Sequence, residues 1–323
     1  MGGPGETDHP SYGQGYGRGV GPSSSPATTP VEIEGRALAL SNLDKVLYPR
    51  AGFTKAGVID YYLRVAPVLL PHLHRRELTM VRWPDGVDGA SFFEKRCPPH
   101  APDWVHRAEV EPGLEACVVD DLPTLVWVAN LAALELHTRQ ATADAPDAPT
   151  AIVFDLDPGA PADVLACAEV ALELRDLLGD LGLRAVVKTS GGKGLHLGVP
   201  IRDATADETK AFARAVGMLL EKRDPGRVTT TMRRELRTGK VFVDWSQNDR
   251  HKTTVAAYSL RARPTPTVST PVTWAEVAAA VDAGDPGALT FETGAVLARV
   301  AEHGDLYADN LTGEQRLPGG LDR

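Results

Sequence analysis

Apolar positions recur at three- and four-residue spacing over 56–70, 122–137, 162–180, 205–222 and 273–282. That spacing puts one side of an α-helix against a core, and it predicts five helices. Between them lie short runs rich in β-branched and aromatic residues: LTMVRW (78–83), AIVFDLD (151–157), RAVVKT (184–189), LHLGV (195–199), VFVDW (241–245) and TVAAYSL (254–260). These read as strands. Pro158-Gly159 closes the AIVFDLD run, and a helical pattern follows from Ala162. Strands that follow one another directly do not fit a regular doubly wound sheet. The pattern predicts an α+β domain with a mixed or antiparallel β-sheet flanked by helices.

The first thirty residues depart from this pattern, with eight glycines, many Ser, Thr and Pro, and almost no aliphatic side chains. Such a segment cannot offset its ordering entropy by burial. The expected organisation is a disordered tail over 1–30, one ordered domain over 31–307 and a flexible tail over 308–323.

Composition is that of a globular protein, with 43% hydrophobic and 24% charged residues. No apolar run reaches the roughly 18 residues of a membrane span. The start has neither the basic nor the apolar region of a secretory signal, which places the protein in the cytoplasm. Three cysteines, at 97, 117 and 167, form no C-x-x-C pair. They are expected to be reduced thiols, and Cys97 with His100 lacks the second ligand pair of a zinc finger. The net charge of -9 by itself disfavours nucleic acid, but its distribution is uneven. Segment 45–107 holds 10 Lys+Arg against 6 Asp+Glu, and segment 222–263 holds 11 against 4. The stretch between them, 108–221, holds 8 against 19. Two basic islands in an acidic chain suit a local groove for an anionic ligand.

Three stretches carry candidate chemistry. In VFDLDPG, Asp155 and Asp157 stand at i and i+2 of a strand and so project from one face. Two carboxylates that close repel, and a divalent cation between them relieves the repulsion. In TSGGKGLHLGVPI, Ser190, the glycines around it, Lys193 and His196 gather hydroxyl, backbone, ammonium and imidazole donors, as a triphosphate requires. This is not a Walker A loop. In the stretch 240–264, Asp244 ends an alternating V-F-V strand as a further candidate metal ligand, and Arg261 follows another strand within reach of phosphate oxygens. Together these groups meet the needs of two-metal phosphoryl transfer, in which catalysis rests on positioning and charge.

NLDKVLYP, TMVRWPDGVDGASFFEKRCP, ANLAALELH, VFDLDPG, SGGKGLHLGVPI and the segment ending YSLRARP occur in this order. In these stretches the chain resembles the polymerase domain of bacterial ligase D, within the archaeo-eukaryotic primase superfamily. The resemblance implies a primase-like catalytic fold with Asp155, Asp157 and Asp244 on two divalent ions, manganese or magnesium. It places His137, Ser190, Lys193, His196 and Arg261 at an incoming NTP or dNTP, and Asn42, Lys45 and Lys55 at the 5′-phosphate of a DNA end. Phe92 and Phe93 are implied to meet the template strand, and Arg237 to lie on a loop that organises the site. The activity implied is nucleotide addition at gaps and breaks in non-homologous end joining, with a preference for ribonucleotides, by a bacterial protein that joins the nucleoid when bound to DNA. No K-x-D-G nucleotidyl-lysine motif occurs, so a stand-alone polymerase working with a separate ligase and Ku is expected. A two-metal nuclease and a non-catalytic DNA-end-binding module remain the alternatives. Nucleotide binding separates the first from a polymerase, and the three aspartates argue against the second.

Overall fold

The computed structural model describes residues 28–318. Its frame is two six-stranded sheets, each with its own hydrophobic core. The first runs in the order Val228–Thr229, Val241–Asp244, Ala151–Pro158, Leu195–Pro200, Val186–Thr189 and Pro271–Val272. Only the pair Val228–Thr229 with Val241–Asp244 is parallel. The second runs Thr254–Val255, Ala133–Thr138, Glu77–Arg82, Leu114–Val118 and Arg107–Glu111, and Phe92–Glu94 pairs with Glu77–Arg82. The expected α+β class holds, with the apolar residues divided between two sheets.

Helices Val164–Asp180, Ala206–Arg223 and Trp274–Ala283 cover the first sheet, through Leu174, Leu178, Phe212, Val216 and Val277. Helices Lys55–Leu73 and Leu122–Asn130 cover the second, through Tyr62, Val65, Leu69, Leu125 and Val128. Their starts are fixed by side chains that accept from otherwise unpaired N–H groups. Thr205 with Glu208, and Thr273 with Glu276, close reciprocal capping boxes, and Asp163 and Asp121 cap two more helices.

The structure corrects several expectations. The helix predicted over 122–137 ends at Asn130, and Ala132 turns the chain at a φ of 57° into the strand Ala133–Thr138. The apolar run LVWVANLAAL fits both periods, and pairing of Ala133–Thr138 with Glu77–Arg82 decides for the strand. Of TVAAYSL only Thr254–Val255 pairs as a strand, although the rest is buried. Helix Thr293–His303 was not anticipated.

The tails differ too. The first strand, Thr28–Ile33, pairs with Arg36–Ser41, so ordered chain begins ahead of the expected boundary at 31. The rest of the tail expected over 1–30, and residues 319–323, lie outside the described residues. In the C-terminal segment expected to be flexible, Ala308–Leu311 forms a 3-10 helix. Gln315 there exchanges hydrogen bonds with Arg184 and donates to the carbonyl of Pro200 at 2.9 Å.

Cys97 and Cys117, expected as free thiols, are joined in a disulfide. The hairpin of Arg107–Glu111 with Leu114–Val118 brings Cys117 back beside the Cys97 loop, where the Cys97 N–H donates to the carbonyl of Glu115 at 2.8 Å. That proximity comes from tertiary pairing and has no signature in the cysteine spacing. Cys167 is a buried free thiol, as expected.

Candidate active site

Antiparallel register sets Asp244, Asp155, His196 and Lys188 side by side on four successive strands: Asp155 is opposite both Asp244 and His196, and His196 is opposite Lys188. Directly opposed residues share a face, so two carboxylates, an imidazole and an ammonium form one polar row. Asp157 stands two residues beyond Asp155 on the same face. Two close backbone approaches shape the end of this strand. A side chain at Gly194 would run into the carbonyl of Leu156, and one at Gly159 into the carbonyl of Arg237.

The carboxylates are held in a strained electrostatic state. Burial and then the charge of Asp244 push Asp155 up to about 7. Asp157 rises to about 6 through burial, Asp155 and Asp244, although its opening to the cleft lets water screen part of that effect. Asp155 Oδ1 has no hydrogen-bond partner; His196 Nε2 lies 3.2 Å away but is not directed at it. A buried, unpartnered carboxylate oxygen beside a second carboxylate fits a hard divalent cation. Among the described residues no three His, Cys, Asp or Glu side chains already converge into a metal cluster. The reason is visible at Asp244, whose carboxylate caps the following 3-10 helix, accepting from Ser246 N at 2.9 Å, Ser246 Oγ at 2.6 Å and Gln247 Nε2 at 3.1 Å. Asp155 offers an unpartnered oxygen to a cation, whereas both oxygens of Asp244 are engaged in that cap.

Asp155 and Asp157, but not Asp244, line one side of a cleft of about 500 Å³ between the two sheets. Ser190, Lys193, His196 and Arg237 line it together with Asp155 and Asp157. The opposite side brings His137, Thr254 and Arg261, so all five residues expected at the nucleotide meet here. Lys193 is exposed on the loop. Ser190 Oγ accepts from the N–H groups of Gly192 and Gly194 at 3.2 and 3.1 Å, so these two donors brace the loop instead of facing an anion. Arg261 donates from Nη1 to the carbonyl of Ser190 at 2.6 Å, tying the loop to the second sheet. Arg237 lies over the ring of Phe242 and donates to the carbonyls of Thr231 and Met232, which folds its loop against the cleft.

The remaining expected residues lie outside the cleft. Phe92 and Phe93 are 44% and 68% exposed on an edge strand, which excludes a core role for the pair. The Arg82 guanidinium sits 5.1 Å from the Phe92 ring, and Phe93 meets His137 edge-on at 6.4 Å. Lys45 and Lys55 are brought together by a backbone hydrogen bond from Lys55 N to the Lys45 carbonyl, 2.8 Å long, and Lys45 N bonds the carbonyl of Asn42, which has a φ of 52°. Lys55 Nζ donates to the carbonyl of Ser41 at 2.7 Å. Burial, then the charges of Lys45 and Arg82, bring it down to about 8.

Two site residues were missed. Glu135 is buried between Arg261, whose Nε donates to it at 3.0 Å, and His137, whose Nε2 lies 2.9 Å away. Burial pushes its carboxyl up, but the His137 hydrogen bond, the Arg261 charge and the Ala262 N–H together bring it down to about 2. Lys188 is a buried lysine in an otherwise apolar strand, and burial followed by Arg261 brings it down to about 7. Lys188 had a signal in the sequence, a charged residue inside the predicted strand 184–189; Glu135 had none, because the segment that carries it was expected to be a helix.

The fold is that of a primase-polymerase domain. The sequence model described as LigD, primase-polymerase domain, matches residues 54–307, and the chain belongs to that family. It is 43% identical over 301 residues to the multifunctional non-homologous end joining DNA repair protein LigD of Mycobacterium tuberculosis, covering 87% of this chain and 39% of the relative. It is 32% identical over 283 residues to the bifunctional non-homologous end joining protein LigD of Bacillus subtilis, covering 87% of this chain and 45% of that protein. The chain thus spans less than half the length of these relatives. Its fold matches the polymerase domain from Mycobacterium tuberculosis ligase D in complex with DNA, with a TM-score of 0.78 and 42% identity over 85% of this chain and 98% of that one.

Proposed function

We propose that this chain is a DNA repair polymerase that adds nucleotides to 3′-hydroxyl ends at gaps and breaks, in the manner of non-homologous end joining. The observation that carries the reading is one cleft in which Asp155 and Asp157, both shifted upward, stand with Lys193 and His196 across from His137 and Arg261. A cleft that gathers carboxylates together with cationic and imidazole groups is matched to a cation-bound triphosphate.

Asp155, Asp157 and, once released from its cap, Asp244 would hold two divalent ions, for which manganese and magnesium suit the oxygen donors. Those ions would supply activation of the attacking 3′-hydroxyl and stabilisation of the leaving pyrophosphate. The protein's own groups do the rest. Lys193 on its exposed loop and Arg261, anchored by Glu135, bind and orient the phosphates. Arg237 and its loop close the open end of the cleft beside Asp157. Phe92 and Phe93 offer faces on which a template base stacks whatever its sequence. Lys45 and Lys55, with Asn42, hold the downstream 5′-phosphate, consistent with the DNA complex formed by the Mycobacterium tuberculosis domain.

The family resemblance extends the proposal to ribonucleotides as preferred substrates, manganese as the more effective metal, and Ku and a DNA ligase as partners. The test is extension on gapped, 5′-phosphorylated DNA, with ribo- and deoxyribonucleotides in competition and with each metal in turn. The expected result is ribonucleotide addition, strongest in manganese and abolished by Asp157→Ala. A protein that cuts the DNA without binding nucleotide is a nuclease, and one that binds ends without extending them is a binding module. A strong deoxyribonucleotide preference in manganese removes the repair-specific part and leaves a general gap filler.

A further inference from the structure

We propose that Lys188 is a positioning residue that fixes His196 as the tautomer with its proton on Nε2, so that a neutral imidazole backed by a buried ammonium donates into the nucleotide cleft. The inference deepens the polymerase reading and rests on it for the identity of the ligand, but the tautomer itself is set by contacts on the protein alone.

Lys188 is 3% exposed, and its Nζ has three partners: Ser269 Oγ at 2.7 Å, His196 Nδ1 at 3.0 Å and the carbonyl of Val255 at 3.1 Å. At a pH below about 7, where Lys188 keeps its charge, Nζ is an ammonium with three N–H donors and no acceptor. The Val255 carbonyl can only accept. Ser269 directs its own hydrogen to the carbonyl of Thr189 at 3.0 Å, so its oxygen accepts from Lys188. The third N–H then meets His196 Nδ1, which must present its lone pair, and the imidazole proton is left on Nε2. The other face of the ring agrees. Nε2 lies 3.2 Å from Asp155 Oδ1, where a bare nitrogen would set two lone pairs against each other. Because that contact is not a directed hydrogen bond, the Nε2–H is available to an anion in the cleft.

The row thus delivers charge through a neutral ring. An ammonium donating into Nδ1 leaves that nitrogen without a proton, so the ring is neutral. The lysine's charge polarises Nε2–H toward a phosphate oxygen without placing a second cation directly in the cleft. The chemical class of ligand is the polyphosphate of a nucleoside triphosphate.

Ring-15N-labelled histidine, introduced into the whole chain and assigned by comparison with His196→Gln, tests the tautomer. At a pH below about 7, where Lys188 keeps its charge, the wild type is expected to show His196 with protonated Nε2 and bare Nδ1, and Lys188→Met to show a mixture of tautomers. A protonated Nδ1, or an averaged ring, in the wild type overturns the proposal without any variant. ATP binding tests the consequence: Lys188→Met should lose about tenfold in affinity, as for one charge-assisted hydrogen bond, and keep its affinity for a 5′-phosphorylated DNA end. The double variant with His196→Gln should bind no worse than His196→Gln alone, since both act through one ring. Additive losses overturn the relay. A wild type that binds no nucleotide in any metal overturns the polymerase reading instead, and the nitrogen spectrum still decides the tautomer.

Discussion

Glu135 accepts from Arg261 Nε at 3.0 Å, across 126 positions of sequence, and so ties the strand that carries His137 to the chain that carries the cleft's arginine. Its second oxygen lies 2.9 Å from His137 Nε2, so one buried carboxylate orients two groups of the proposed nucleotide site.

Glu135→Gln keeps the shape and removes the charge. The expected outcome is an increase of about tenfold in KM for nucleotide with a smaller change in kcat, because charge-assisted hydrogen bonds contribute about 1.5–3 kcal/mol each. Stability should also fall, since Arg261 is left without its buried counter-charge. Glu135 is held low, at about 2, so its contribution is present at neutral pH and is lost as pH falls from the usual carboxylate range toward 2. Steady-state kinetics and thermal melting at neutral pH check both effects. An unchanged KM would mean that Arg261 and His137 are positioned by other contacts.

Asp155 is tuned the other way, and its sign follows from its shift to about 7. The folded chain holds this proton at pH values where the unfolded chain has released it. Cation-free protein therefore loses stability as pH rises from about 4 to about 7, and does not regain it through this group above that. Asp155→Asn cannot ionise. At pH 8 without divalent ions it should be more stable than wild type by on the order of 2 kcal/mol, and near pH 4 the difference should close. Manganese should raise the wild-type melting temperature and leave the variant's nearly unchanged, while extension activity disappears in the variant. A variant that melts below wild type at pH 8 would show that Asp155 is stabilised as an anion by the protein itself.

Much of the site was legible in the sequence because its side chains lie on strands with clear patterns. Asp155 and Asp157 share a face by the two-residue period alone, and the glycines around Lys193 announce a turn. What was not legible depends on which strand lies beside which. The row Asp244–Asp155–His196–Lys188 follows from antiparallel register between segments far apart in the chain. The helix expected through 137 hid the two-residue relation of Glu135 and His137, which becomes visible only on a strand. The Cys97–Cys117 pairing likewise depends on a hairpin that the cysteine spacing does not encode.

Lys55 makes the proposed 5′-phosphate pocket sensitive to pH. Burial and neighbouring cations bring it down to about 8, so its charge is present at pH 7 and lost as pH rises past 8. The preference for a 5′-phosphorylated gap over a 5′-hydroxyl gap should be full at pH 7 and weaker at pH 9, and it should fall with added salt. The double variant Lys45→Ala, Lys55→Ala should treat the two gaps alike at every pH. Binding measured on both gapped duplexes checks this. A phosphate preference that persists in the double variant moves the pocket to other cations of the same basic island, with Arg96 and Arg107 the first to examine.

Phe93 is the more exposed of the aromatic pair and meets His137, whereas Phe92 lies against the Arg82 guanidinium. Neither ring belongs to a core cluster, so removing one should cost little in stability, within about 0.5 kcal/mol for Phe93. A base stacked on an aromatic side chain contributes about 1–3 kcal/mol by alanine substitution. Phe93→Ala should therefore weaken binding of a single-stranded template overhang by about tenfold or more and leave ATP binding in the absence of DNA close to wild type. Phe92→Ala should have a smaller effect on the template, because its ring is already engaged by Arg82. Because stacking accepts every base, the loss should be similar for overhangs of each sequence. Template binding by fluorescence anisotropy, with melting temperatures as the control for folding, distinguishes the outcomes. Equal overhang affinity in wild type and Phe93→Ala would remove the ring from the template path and leave its contact with His137 as its role.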